Sequence, residues 1–124
     1  MWIFTPFGFF SIVQKPGDTK LTVRARVAED LDNLRTRVPG LGETVAGAGT
    51  DYRYRATVSP TNLGIGLAQI IRGLDYSNFK TEVHRQQGPA RAAAYGLVWG
   101  QLLDLGEMAR PDKSSRRQTA VRIE

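Results

Sequence analysis

The chain lacks cysteine altogether and carries a single histidine, His84. Without thiols there is no disulfide scaffold, zinc ribbon, iron–sulfur cluster or thiol nucleophile. With one imidazole there is no Cys/His or paired-His metal site. No metal or other cofactor is therefore expected. Long hydrophobic runs are missing too. Residues 1–13 carry no charge, but the run is too short to span a bilayer as a helix. Pro6 and Gly8 interrupt it, and neither a basic leader nor a small-residue cleavage site accompanies it, so it does not read as a signal peptide. A buried strand is expected there, in a cytoplasmic chain with no membrane partner.

What is present fits one folded unit. The 124 residues are 41% hydrophobic and 23% charged, which is the composition of a soluble domain large enough to bury a core unaided. The net charge is +5, from 17 Lys and Arg against 12 Asp and Glu. Much of that excess lies from Arg110 onward, where Arg110, Lys113, Arg116, Arg117 and Arg122 face only Asp112 and Glu124. The division expected is a single domain over 1–109 followed by a basic, mobile tail over 110–124. A basic balance favours anionic partners, weakly here because the body is nearly neutral.

Hydrophobic periodicity orders the body. Phe9-Phe10-Ser11-Ile12-Val13 reads as a strand, with Trp2-Ile3-Phe4-Thr5 as its first half and a bend at Pro6-Phe7-Gly8. Lys15-Pro16-Gly17-Asp18 is a turn, and Leu21-Thr22-Val23-Arg24-Ala25-Arg26-Val27 alternates as the return strand. A helix follows over 28–38, with Leu31, Leu34 and Val38 on one face, acids in its first turn and arginines in its last. Residues 43–46 form a short strand, Thr50-Asp51 a turn, and 52–58 a further alternating strand. Ser59-Pro60 starts a second helix with an apolar stripe at Leu63, Leu67, Ile70, Ile71 and Leu74. Ser77 caps a third helix, with Phe79 and Val83 inward. Gly88-Pro89 interrupts it, and 90–105 form a final helix whose core face is Tyr95, Val98, Trp99, Leu102 and Leu105. The expected fold is α+β: a two-layer sandwich in ββαββαα order. Its four-stranded, mostly antiparallel sheet carries helices on one face and is ferredoxin-like in shape.

Four segments together carry a resemblance: Met1-Trp2-Ile3-Phe4-Thr5, Gly8-Phe9-Phe10-Ser11-Ile12-Val13, Asp51-Tyr52-Arg53-Tyr54-Arg55 and Asp75-Tyr76-Ser77-Asn78-Phe79-Lys80. They resemble a family of small uncharacterised bacterial proteins that open with Met-Trp-x-Phe-Thr. The resemblance covers residues 1 to about 105. It implies a bacterial cytosolic protein and brings no activity, ligand or site residue with it.

Two surfaces stand out as candidate sites. Strand alternation turns Arg24, Arg26, Arg53 and Arg55 to the face opposite Val23, Ala25, Val27, Tyr54, Ala56 and Val58. Four guanidiniums on an open sheet face suit phosphate or carboxylate, and with aromatic neighbours such a face holds single-stranded nucleic acid. The alternation turns Tyr52 and Tyr54 to the core, so the aromatic part is expected to be missing. The same arginines also suit a solvated face or a homodimer contact. The second surface is the third helix, where Lys80 and His84 stand at i, i+4 with Tyr76 just before. These could bind a small anion or serve acid–base chemistry. Gly40-Leu41-Gly42, with Gly47 and Gly49, follows a helix and precedes a strand, the reverse of a dinucleotide loop. The carboxylates form no pair suited to glycoside or two-metal chemistry. The leading reading is a non-enzymatic binding or interaction domain that uses its basic sheet face toward nucleic acid, another polyanion or itself. The alternative is a small enzyme or anion sensor with a pocket beside the third helix.

Overall fold

A computed structural model describes residues 1–47 and 51–109. The tail expected over 110–124, and Thr50 of the expected turn, lie outside the described residues. The chain runs β1 (Trp2–Thr5), β2 (Gly8–Val13), β3 (Leu21–Ala25), α1 (Ala28–Arg35), β4 (Val45–Ala46), β5 (Tyr54–Val58), α2 (Pro60–Arg72), α3 (Phe79–Gln87), α4 (Pro89–Leu102) and α5 (Asp104–Ala109). The α+β class is as expected. The sheet has five strands rather than four, in the order β1-β2-β3-β5-β4, and every neighbouring pair is antiparallel. β3 and β4, joined through α1, run in the same direction with the antiparallel β5 between them, as in a split βαβ unit. Among the described residues, however, no strand follows α2 to complete a ferredoxin-like order, and the β1–β2 hairpin stands beside β3 instead.

The extra strand comes from Pro6-Phe7. The sequence suggests one bent strand there, but Thr5 pairs with Gly8 and Trp2 with Ser11 in a hairpin. The Thr5 hydroxyl holds the turn: its Oγ1 donates to the Gly8 carbonyl at 2.8 Å and accepts from the Phe7 N–H at 3.2 Å. A Cβ on Gly8 would lie 2.7 Å from the Phe10 ring and 2.9 Å from Asp30, so only glycine lets the first turn of α1 sit against this hairpin.

One face of the sheet is the core. Phe10, Ile12, Val23, Ala25, Ala56 and Val58 point into it from β2, β3 and β5, and Leu31, Leu34 and Leu63 close it from α1 and α2. The start of α2 follows the sequence signal: Pro60 is its first residue and the Ser59 hydroxyl accepts from the Asn62 N–H at 3.1 Å. Leu67 and Ile70 pack against the core. Ile71 and Leu74 do not, because they lie past the stripe's edge and face outward. Asn78, not Ser77, caps α3, its Oδ1 accepting from the Thr81 N–H at 2.8 Å. Val83 is buried, and the Phe79 ring stacks on Tyr95 at 5.8 Å.

The final helix departs most from expectation. It divides at Leu103 into α4 and α5. Of the expected core face Tyr95 is buried, but Trp99, Leu102 and Leu105 are exposed. The reason is the route of α4, which packs along α3 and, in its first half, meets α1 through Arg91 and β1 through Tyr95. Nor do all the helices keep to the core face. The Tyr95 ring stands edge-on to Phe4, 5.3 Å away, and the strand register puts Phe4 on the opposite, outer face. Among the described residues, no helix is long and apolar enough to cross a membrane.

Candidate functional site

The strand register builds one row across the outer face from all five strands: Trp2, Ser11, Arg24, Arg55 and Val45. Phe4 and Phe9 form the next pair on the same face, since side chains two apart share a side. Aromatics therefore occupy β1 and β2, and arginines occupy β3 and β5.

The two halves meet at Tyr52. Alternation from Tyr54 predicts that Tyr52 turns to the core, but β5 begins at Tyr54, so the two-residue period does not extend back to Tyr52. Its ring is buried under the guanidiniums of Arg24 and Arg26, 4.7 and 4.9 Å from its centroid. Phe9 lies 6.4 Å from it on the other side, in turn stacked on Phe4 at 4.5 Å and edge-on to Trp2 at 5.6 Å. The aromatic part that the sequence suggested was missing is thus present. Its members Trp2, Phe4 and Phe9 escaped notice because they converge only once residues 2–13 fold as a hairpin.

Each arginine has a definite place. Arg24 Nη2 donates to the Ser11 hydroxyl at 2.6 Å, while its Nε is buried with no hydrogen-bond partner. Arg55 stands directly opposite Arg24 and donates from Nη2 to the Tyr52 carbonyl at 3.4 Å. Arg26 is exposed beside Tyr52. Arg53 is exposed and leans toward the Tyr54 ring, 5.9 Å away, apart from the other three. Like charges directly opposed across a ladder repel, and among the described residues no carboxylate forms a salt bridge with Arg24, Arg26 or Arg53. Arg24, Arg26 and Arg53, with no such partner among the described residues, raise the local concentration of anions.

A buried ion pair holds this face in shape. Arg91 on α4 grips Asp30 on α1 with two parallel bonds of 3.0 Å, and Asp30 Oδ2 also accepts from the Phe9 N–H at 3.0 Å. The Tyr95 hydroxyl donates to the Thr5 carbonyl at 3.2 Å. Burial pushes the Tyr95 phenol above its ordinary value, against the lowering effect of Arg91. Asp30 thus positions Phe9, and Tyr95 positions Phe4.

The second expected surface is not gathered in the same way. Tyr76 lines a cleft of about 410 Å³ between α1, α2 and α3, beside Arg37, Asp75 and Glu82. Lys80 does not line it; its ammonium sits 5.6 Å from the Trp99 ring instead. His84 is exposed in the last turn of α3 and does not line it either. Burial, then the nearby Glu82 and Asp75, raise the Tyr76 phenol. Hydrogen bonds from Arg85 and Gln86 hold the Glu82 carboxyl down at about 2. Among the described residues, no group of three or more His, Asp or Glu side chains could hold a metal ion.

No protein family, curated protein or solved structure matches this chain.

Proposed function

We propose that this chain is a non-enzymatic binding module that holds single-stranded nucleic acid along the outer face of its sheet. The observation that carries this reading is the joined row of aromatics and arginines, with exposed Trp2 at one end and Arg24, Arg26 and Arg55 gathered around Tyr52. Single strands bind where a basic track follows the phosphates and aromatic faces stack the bases. Here Trp2, 62% exposed, is the stacking platform. Arg26 and Arg53 are the accessible phosphate contacts, and Arg24 and Arg55 set the field beneath them. The partly buried Phe4 and Phe9 support Trp2 from the side. A cytoplasmic place suits this role, as does the bacterial source that the resemblance implies.

Fluorescence anisotropy of a labelled single-stranded oligonucleotide tests the reading. With Arg26 and Arg53 each meeting a phosphate, raising salt from about 50 to about 200 mM weakens binding roughly 7-fold. The Arg26→Glu/Arg53→Glu variant, altered only at exposed positions, loses the complex. Absence of binding at low salt, or equal binding by the variant, contradicts the proposal. The self-association reading of the same face predicts instead that this variant loses a dimer.

A further inference from the structure

We infer that the cavity between the outer sheet face and α4 holds one unstacked base of the bound strand, so that the site selects single strands over duplex. The inference rests on the nucleic-acid reading of that face. Arg91, Ala94, Tyr95 and Val98 follow i, i+3, i+4, i+7 spacing and give α4 one continuous face. That face stands across from Phe4 and Phe9 around a cavity of about 220 Å³. Phe4 and Phe9, stacked at 4.5 Å with 24° between their planes, form the wall on the sheet side. Tyr95, buried and edge-on to Phe4 at 5.3 Å, forms part of the opposite wall.

Three features favour a base as the occupant. The first is the lining. Aromatic rings on one side and the small apolar Ala94 and Val98 on the other suit a flat ring, and base–aromatic stacking tolerates any base because every base has a π-face. The second is charge. Arg26 lines the cavity as well as lying over Tyr52, and it is exposed. A cation at the edge of an aromatic slot suits a ring that carries a phosphate. The deeper charges are already engaged: Arg91 binds Asp30 through two bonds, and Asp30 also accepts from the Phe9 N–H. Recognition of charge is therefore left to Arg26. The third is size. At about 30 Å³ for each water, the volume equals roughly seven waters, which is room for one heterocyclic base and not for a base pair. Phe9 also lies 5.6 Å from Trp2, so the cavity and the stacking platform are neighbours on one track. A base held in a duplex must unpair and unstack before it can enter such a pocket.

Fluorescence anisotropy with a labelled single-stranded oligonucleotide and with the duplex of the same sequence tests this. The wild-type chain is expected to bind the single strand about tenfold or more tightly than the duplex, since the duplex must first give up a base. Ala94→Phe places a ring in the cavity from an exposed position. It is expected to weaken single-strand binding roughly 5- to 150-fold, the loss of one stacked base. The slope of affinity against salt should stay that of the wild type, because Arg26 and Arg53 still meet phosphates. Circular dichroism checks that the variant folds. Equal affinity of the wild type for single strand and duplex overturns the inference. So does a folded Ala94→Phe chain that binds the single strand as tightly as the wild type. In both cases the sheet-face reading stands if the Arg26→Glu/Arg53→Glu variant still loses the strand. A wild type that binds no oligonucleotide removes that reading and the inference with it.

Discussion

Tyr52 couples the two halves of the proposed site: its ring lies under two guanidiniums and beside Phe9. In the proposed complex Trp2 is the residue that meets a base. Base–aromatic stacking contributes about 1–3 kcal/mol per base, so Trp2→Ala is expected to weaken oligonucleotide binding roughly 5- to 150-fold. Because the ring is mostly exposed, the midpoint of thermal unfolding should barely move, and the two measurements together separate binding from folding. Gly66 shows the opposite dependence. A Cβ there would come within 2.5 Å of the Val38 side chain and 2.9 Å of its backbone. Gly66→Ala is therefore expected to lower unfolding free energy by about 1–3 kcal/mol, the usual result of overpacking, measured by urea titration, although alanine favours a helix. Neither role is legible from composition. Tyr52 reads as core by alternation, and Gly66 reads as a residue that weakens α2 or allows close packing, with nothing to name Val38 as its neighbour.

At the scale of elements, the Asp30–Arg91 pair joins α1, α4 and the β1–β2 hairpin. Removing one partner of a buried pair leaves an uncompensated charge, which costs about 3–5 kcal/mol; Asp30→Ala is expected to destabilise the chain by an amount near the lower end, since Arg91 keeps 17% of its side chain in solvent. Denaturant unfolding measures it. Tyr95 adds a pH dependence. Burial raises its phenol above the ordinary 10.0, so the folded state favours the neutral form. That stabilisation is fully present below pH 10 and is lost as pH rises through the raised value. Phenolate absorbance is expected to show two tyrosines titrating late, Tyr76 and Tyr95; Tyr95→Phe removes one of them, the one whose ionisation accompanies the loosening of α4.

The elements themselves were largely legible. The start of alternation at Leu21, the Ser59-Pro60 start and the Gly88-Pro89 break mark real boundaries, because each is decided by local backbone chemistry, although β3 ends at Ala25 rather than Val27. The hairpin at Pro6-Phe7 was not, since its turn is held by the Thr5 hydroxyl and by strand pairing that no local pattern announces. The outward-facing stripe of α4 and α5 was not legible either. Periodicity shows that a helix has an apolar face, but not whether the rest of the chain reaches it.

Considered whole, the molecule joins its aromatics and arginines on the outer face of one sheet, the aromatics from β1 and β2 and the arginines from β3 and β5. In the proposed complex that face takes the polyanion. The arginines on the sheet face were legible as a set, and the structure adds the aromatic row that gives them a nucleic-acid reading over a merely solvated one. The most direct measurement uses Trp2 as its own reporter in a Trp99→Phe background, where Trp2 is the remaining tryptophan. Its emission is followed as a single-stranded oligonucleotide is added. The account predicts quenching that saturates, is reversed by salt and is absent in the Arg26→Glu/Arg53→Glu variant. A complex that forms while Trp2 emission stays unchanged would place the nucleic acid elsewhere and contradict the assignment of the sheet face.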